Sequence, residues 1–329
     1  MFATLAGGLP TPPADLVPDD AGTGDAGAGD PVAAAIAIQG ELGLEPLTDG
    51  HLDGDPVIAS ALGLDGVERA PGGSPRLTGP TPRWSGPMLV DRWRRAAALT
   101  DRIVKQSIGG PYTLGRLLAA DAAVRARRTL TLDLAASLNA ELRALVNAGC
   151  PFIQVDEPGA VTLGDSPAEA ASFRDAQLRL LDGIGGVHVS LAITGGNADQ
   201  AGASTFYDPP YASYLFDLID GPDNWRLVAR APADRGIVCG AVPCGDQPEV
   251  EKEVVVWAAH YAASTMGRGL VRVGLSTSGS LAGISWQAAR ERLELLALAA
   301  DIAVEPGRRM AERLDRHAFR AAPRGPRAG

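Results

Sequence analysis

The sequence predicts an α/β protein folded as a single-domain (β/α)8 TIM barrel. Three observations carry that expectation. Short apolar runs alternate with helical stretches along most of the chain, as in a parallel sheet covered by helices. About eight strand–helix units fit, and 329 residues suit one barrel of that kind. No GxGxxG opens an early strand–helix turn, which disfavours a dinucleotide-binding sheet.

The elements follow in order. A first strand is expected near 2–7 and another near 46–49. Asp30 and Pro31 make a cap and first turn for a helix reaching Leu42, ended by Gly43. Residues 102–108 form a strand that leads through GGPYT into a helix starting near Leu114. A long helix covers 129–148, stopped by Gly149, and a short strand covers 152–156. Ser166 and Glu169 form a capping box for a helix over 166–182. Beyond it the pattern predicts a strand at 187–194, a helix at 210–219 and strands at 225–230 and 236–241. A helix at 247–265, a strand at 270–275 and a helix at 285–303 complete the barrel, which spans 1–305. Residues 14–30 and 70–87 are loops, the second too rich in Pro and Gly for regular structure, with Trp84 anchored somewhere. Residues 306–329 hold a helix end and a frayed basic tail.

A net charge of −9 argues against nucleic-acid binding. No apolar run approaches the roughly 18 residues of a membrane span. The N-terminus lacks a basic n-region, so no signal peptide is expected. Three cysteines make no disulfide framework, which points to a reducing, cytoplasmic setting. The expected partner is a small molecule; the oligomeric state is open.

Chemistry in such a barrel sits at the C-terminal ends of the strands. Asp156 and Glu157 stand where the strand 152–156 ends, but adjacent strand residues point to opposite faces, so only one should face the mouth. Lys105 is a second mouth candidate, able to pair with a carboxylate such as Asp156. The GGPYT turn offers backbone N–H groups for an anion, with Tyr112 and Thr113 lining the pocket.

FIQVDEPG (152–159) resembles the IQxDEPA signature of cobalamin-independent methionine synthases and the related uroporphyrinogen-decarboxylase-like barrels. Four more segments are similar in the same order: AGGLPTP (6–12), AIQGELGLEPLTDGHLDGD (37–55), IVKQSIGGPYTLGRL (103–117) and RVGLSTSGSL (272–281). The resemblance implies a zinc ion that binds a thiol acceptor as thiolate, which then attacks the methyl of a methylated folate or a methyl-corrinoid. It also implies that Asp156 holds the acceptor's ammonium.

The sequence departs from that pattern at the metal positions. Aligned on Gly196 and Asn197, the His and Cys positions are Ala192 and Thr194; an alternative register places His188 and Ser190 there. The Glu position falls near Ala229 or Arg230, and the last Cys aligns with Ser278. Ala cannot bind zinc and neutral hydroxyls are poor ligands, so no zinc is expected. The first-strand Ser is Gly8 and the D-G-E carboxylate is His51. Cys239, Cys244 and His51 remain open as an unconventional metal site.

The expected function is therefore a methyl- or alkyl-transferase, zinc-independent and acting on a non-standard acceptor. His51, Asp156 and Arg230 would be its catalytic groups; Gly8, Lys105, Tyr112, Thr113, Thr194, Asn197 and Ser278 would bind substrate. Two alternatives stand beside it. One is a decarboxylase or lyase whose anionic substrate is held by Arg230 and Lys105; the other is a non-catalytic binding barrel.

Overall fold

A computed structural model describes residues 1–17, 29–79, 81–119, 124–245 and 250–314. The first half contains β1 (Phe2–Thr4), α1 (Pro31–Glu41), α2 (Pro56–Leu62), β2 (Val67–Arg69), β3 (Pro75–Leu77), α3 (Val90–Ala97), β4 (Lys105–Gly109), α4 (Pro111–Leu118), α5 (Val124–Asn147) and β5 (Phe152–Asp156). The second half continues with α6 (Pro167–Leu180), β6 (His188–Ile193), α7 (Ala203–Tyr207), β7 (Ser213–Asp217), α8 (Trp225–Arg230), β8 (Gly236–Val242), α9 (Lys252–Ser264), β9 (Val273–Thr277), α10 (Trp286–Ala303) and α11 (Gly307–Arg313).

Among the described residues the main sheet has seven parallel strands in the order β1-β9-β8-β7-β6-β5-β4. The sheet curls, and segment 45–48 lies between its two edges. The Glu45 amide donates to Ala3 O (2.8 Å), and Leu47 exchanges backbone hydrogen bonds with Ile103 O and the Lys105 amide (2.8 and 2.9 Å). The strand expected near 46–49 is thus reduced to isolated bridges.

Side chains alternate across each strand. Ile153 and Val155 of β5 point outward into the fully buried layer beneath the helices, with Leu134, Leu138 and Phe173. Gln154 and Asp156 point inward. The interior is built from small and polar groups: Ser107, Ser190, Ser213 and Ser276 are buried, and Ala6, Ala192, Leu215 and Val238 form a separate apolar cluster. The sheet is thus buried on both faces, as the apolar runs imply, with its inner face lined by small and polar groups.

Several local expectations are met. Asp30 Oδ1 accepts from the Val32 amide at 2.8 Å and opens α1. Gly149, at φ +94°, follows α5. Trp84 is anchored by Nε1 donating to Glu141 Oε2 at 2.8 Å.

Others are corrected. Residues 213–217, placed in a helix by the sequence, are β7, and residues 225–230, placed in a strand, are α8. Both are short apolar runs, whose period cannot separate a buried strand from a buried helix. The buried rings of Tyr214 and Phe216 suit β7, whereas α8 buries Leu227 and Val228 and exposes Arg226 and Arg230. Loop 70–87 contains β3, paired antiparallel with β2; Pro75 sits at the strand's first position, where its missing N–H is tolerated. The capping box at α6 is half made. Ser166 Oγ accepts from the Glu169 amide (3.4 Å), but the Glu169 carboxylate is taken by Tyr112 OH and Arg127. Most of loop 14–30 (18–28) and of the basic tail (315–329) lies outside the described residues.

Candidate functional site

The carboxyl ends of the strands enclose a cavity of about 200 Å³. Gly8, from the turn after β1, meets Thr194 after β6 and Ser280 after β9. Asp156 enters as the last residue of β5, and His51 and Asp55 arrive on the loop after segment 45–48. This is where a parallel barrel collects its chemistry.

The loop carrying His51 is held in shape by its own polar groups. Asp49 Oδ1 accepts from the His51 amide (2.9 Å), which stabilises a left-handed turn with His51 at φ +52°. Asp55 Oδ1 caps α2 by accepting from the amides of Val57 (2.7 Å) and Ile58 (3.3 Å). Arg92 of α3 ties the same loop through Gly54 O (2.9 Å), and Arg95 pairs with Asp53 and Asp30. His51 Nε2 is buried and has no hydrogen-bond partner among the described residues. Burial holds the His51 pKa below its usual 6.5, so the imidazole is neutral at neutral pH.

Asp156 is half-buried and lines the cavity. Burial pushes its pKa up, opposed by the hydrogen bond from Gln154 and the charge of Lys105. Lys105 lies beneath rather than at the mouth. Its Nζ donates to Leu5 O (2.7 Å) and Gln154 Oε1 (2.6 Å), and burial draws its pKa down.

Glu157 turns away from the cavity toward the helices. Its carboxylate accepts from the amides of Tyr112 (3.0 Å) and Thr113 (2.7 Å), from Thr113 Oγ1 (2.6 Å) and from Gln177 Nε2 (2.5 Å). The N-terminus of α4, expected to bind an external anion, is filled by the chain's own anion. A Cβ at Gly110 would lie 2.2 Å from Glu157 Cδ, so only glycine fits there. Tyr112 and Thr113 therefore surround Glu157 rather than lining the cavity; Tyr112 OH donates to Glu169 (2.9 Å).

The other expected site residues are dispersed. Arg230 is exposed at the end of α8, on a helix and not on a strand. Asn197 Oδ1 accepts from the Asp223 amide (2.8 Å) and shapes a loop. Ser278 is fully buried. Gly8, His51, Asp156 and Thr194 do converge. Asp55, Gln154 and Ser280 went unnoticed in the sequence. Gln154 carried a signal, because it stands two residues before Asp156 on one strand and so faces inward with it.

The strand ends where the resemblance places zinc ligands hold a different donor set. Ala192 is packed in the small interior cluster. His188 opens β6 at the far end of the strand, its Nε2 2.8 Å from Ser213 Oγ, so the alternative register does not reach the mouth. The end of the neighbouring strand is Asp217, not Ala229 or Arg230. Its carboxylate already accepts from the amides of Gly195 (2.9 Å), Ile219 (2.9 Å) and Asp220 (3.0 Å). Cys244 follows β8, and burial raises its thiol pKa, which keeps the sulfur protonated. Hydroxyls, a saturated carboxylate and a neutral thiol do not match the thiolate and imidazole set that holds zinc. Cys239 faces α9, its thiol donating to Ala258 O (3.7 Å), so Cys239, Cys244 and His51 do not come together. Among the described residues no group of three or more His, Cys, Asp or Glu is placed to hold a metal ion.

Comparison with known proteins finds similarity to cobalamin-independent methionine synthases. Residues 27–176 match the model described as the catalytic domain of cobalamin-independent synthase. A methionine synthase of Sulfolobus acidocaldarius is 29% identical over 140 residues, 39% of this chain and 41% of that protein. One from Saccharolobus solfataricus is 39% identical over 74 residues, 22% of each chain. The chain thus aligns with less than half the length of these curated relatives. In fold, a B12-independent methionine synthase from Shewanella sp. W3-18-1, in complex with selenomethionine, superposes with a TM-score of 0.76 at 18% identity, covering 91% of this chain and 96% of that one. A vitamin-B12-independent methionine synthase homologue from Listeria monocytogenes gives 0.71 at 16% identity, over 93% and 98%. Residues 27–176 thus resemble the catalytic domain of cobalamin-independent synthase in sequence, and nearly the whole chain resembles B12-independent methionine synthases in fold.

Proposed function

We propose that this chain catalyses methyl transfer to a small acceptor bearing an amino group, on a closed (β/α)8 barrel spanning residues 1–305, without zinc. The observation that carries the reading is the convergence of Gly8, His51, Asp156 and Thr194 from four separate segments onto one cavity. A carboxylate lining it suits a protonated amine, and about 200 Å³ suits an amino-acid-sized ligand. The comparison with a relative in complex with selenomethionine supports the same ligand class.

Zinc would normally activate a thiol acceptor by lowering its pKa. The donor set at the strand ends here supports another route. His51, kept neutral by burial, takes the acceptor's proton. The freed lone pair attacks the methyl carbon, and the donor leaves with the bonding electrons. A methylated folate or a methyl-corrinoid is the donor class. The competing reading, a lyase holding an anion through Arg230, loses support because Arg230 is exposed on α8.

The test combines three measurements. Calorimetry with L-methionine and L-homocysteine reads acceptor binding. Methyl transfer from methyltetrahydrofolate and from methylcobalamin to L-homocysteine and other amino-bearing thiols reads activity. Metal analysis of the purified protein reads zinc. Binding and turnover without stoichiometric zinc support the proposal; stoichiometric zinc, or failure of every amino-bearing ligand to bind, overturns it.

A further inference from the structure

Lys105 is the one lysine of the sheet and is 3% exposed. A buried ammonium costs several kcal/mol unless charge and hydrogen bonds compensate it. Its contacts are specific. Nζ donates to Leu5 O at 2.7 Å and to Gln154 Oε1 at 2.6 Å. Gln154 in turn donates through Nε2 to Ala6 O at 2.8 Å and to Asp156 Oδ1 at 2.7 Å. The Gln154 amide can stand only one way. Flipped, its oxygen would face two acceptors and its NH₂ group would face an ammonium. Lys105 therefore fixes the direction of the amide, and the amide fixes one oxygen of Asp156.

We infer that Lys105 is a positioning residue for the cavity: acting through Gln154, it orients the Asp156 carboxyl toward the ligand and keeps it charged. This rests on the reading of the cavity as an amine-binding site. The groups acting on Asp156 come from several elements: Lys105 and Ser107 from β4, Gln154 from its own strand and Asp55 from the start of α2, with His51 on the same cavity wall. Burial and the Asp55 charge favour the protonated carboxyl; the Gln154 hydrogen bond and the Lys105 charge favour the carboxylate. Lys105 is the sole cation acting on Asp156 among these groups, so removing it tips the balance toward the uncharged form.

The alternative is a purely structural suture, because Lys105 and Gln154 also satisfy the two consecutive carbonyls of Leu5 and Ala6 that follow β1. A titration separates the two. The side-chain carboxyl ¹³C signal of Asp156, assigned by its loss in Asp156→Asn, is followed against pH in ligand-free wild type and in Lys105→Met. Lys105→Met should raise the Asp156 midpoint by about one unit or more, and weaken L-methionine binding at neutral pH by about tenfold for each unit. Lys105→Gln, which keeps a donor for Leu5 O, should show the same rise and serves if Lys105→Met does not fold. An unchanged midpoint in a folded variant overturns the inference. Because the titration needs no ligand, a wild type that fails to bind L-methionine would sink the amine-site reading while the midpoint still judged Lys105.

Discussion

The Glu157 carboxylate accepts from the Thr113 amide at 2.7 Å and closes the N-terminus of α4 from inside the protein. Four donors converge on this one group, and burial by itself raises its pKa. Glu157→Ala would strand those donors, each worth about 1 kcal/mol or more when left unpaired. The expected loss is roughly 3 kcal/mol or more by urea unfolding, with Glu157→Gln losing less because it keeps one acceptor. Equal stability of wild type and Glu157→Ala would show that water replaces the carboxylate freely.

Asp156 predicts a pH dependence with a definite sign. Burial raises its pKa above the usual 3.8, so in the folded state it keeps its proton to higher pH than in the unfolded chain. A protonated carboxyl does not attract an ammonium. L-methionine affinity should therefore rise as pH climbs from the usual carboxylate range toward neutrality, and Asp156→Asn should bind weakly at every pH. Stability has the opposite slope from this group. Its contribution is complete below 3.8 and is lost as pH rises toward the shifted value. Calorimetric titration and thermal unfolding over that range check both.

Two adjacent glycines should behave differently. A Cβ on Gly7 would lie 2.7 Å from Ser280 Cα, which is backbone and must move as a loop. On Gly8 the closest contact is 3.2 Å, to Gly50 O. Gly7→Ala should cost roughly 1–3 kcal/mol and deform the cavity, while Gly8→Ala should cost under about 1 kcal/mol and only narrow it. Comparable losses in the two variants would contradict the close approach at Gly7.

His51 sits at φ +52°, where a side chain is strained and glycine is not. His51→Gly should be more stable than His51→Ala by about 1 kcal/mol, and both should lose methyl transfer if the imidazole is the base. A variant pair with equal melting points would argue that the loop relaxes out of the left-handed turn.

The sequence made the alternation of strands and helices legible because caps such as Asp30 and Ser166 and breakers such as Gly149 act locally. It failed at 210–230, where Tyr214 and Phe216 are placed by tertiary packing that a short apolar window does not encode. The cavity was half legible. Gly8, His51, Asp156 and Thr194 lie at strand ends that a motif can mark. Asp55 was hidden because it doubles as a helix cap, and Arg230 was misplaced along with its element. The destination of Glu157 is set by the opposite-facing rule, but its donors on α4 and α6 are known only once those helices pack.

The pairing of Phe2 with Gly274 has a consequence for biosynthesis. β1 must wait for a neighbour about 270 residues further along the chain, made on the order of tens of seconds later at usual elongation speeds of ~5–20 residues per second. Until then two bare sheet edges face solvent, and the nascent chain is at its most vulnerable to pairing with another copy of itself.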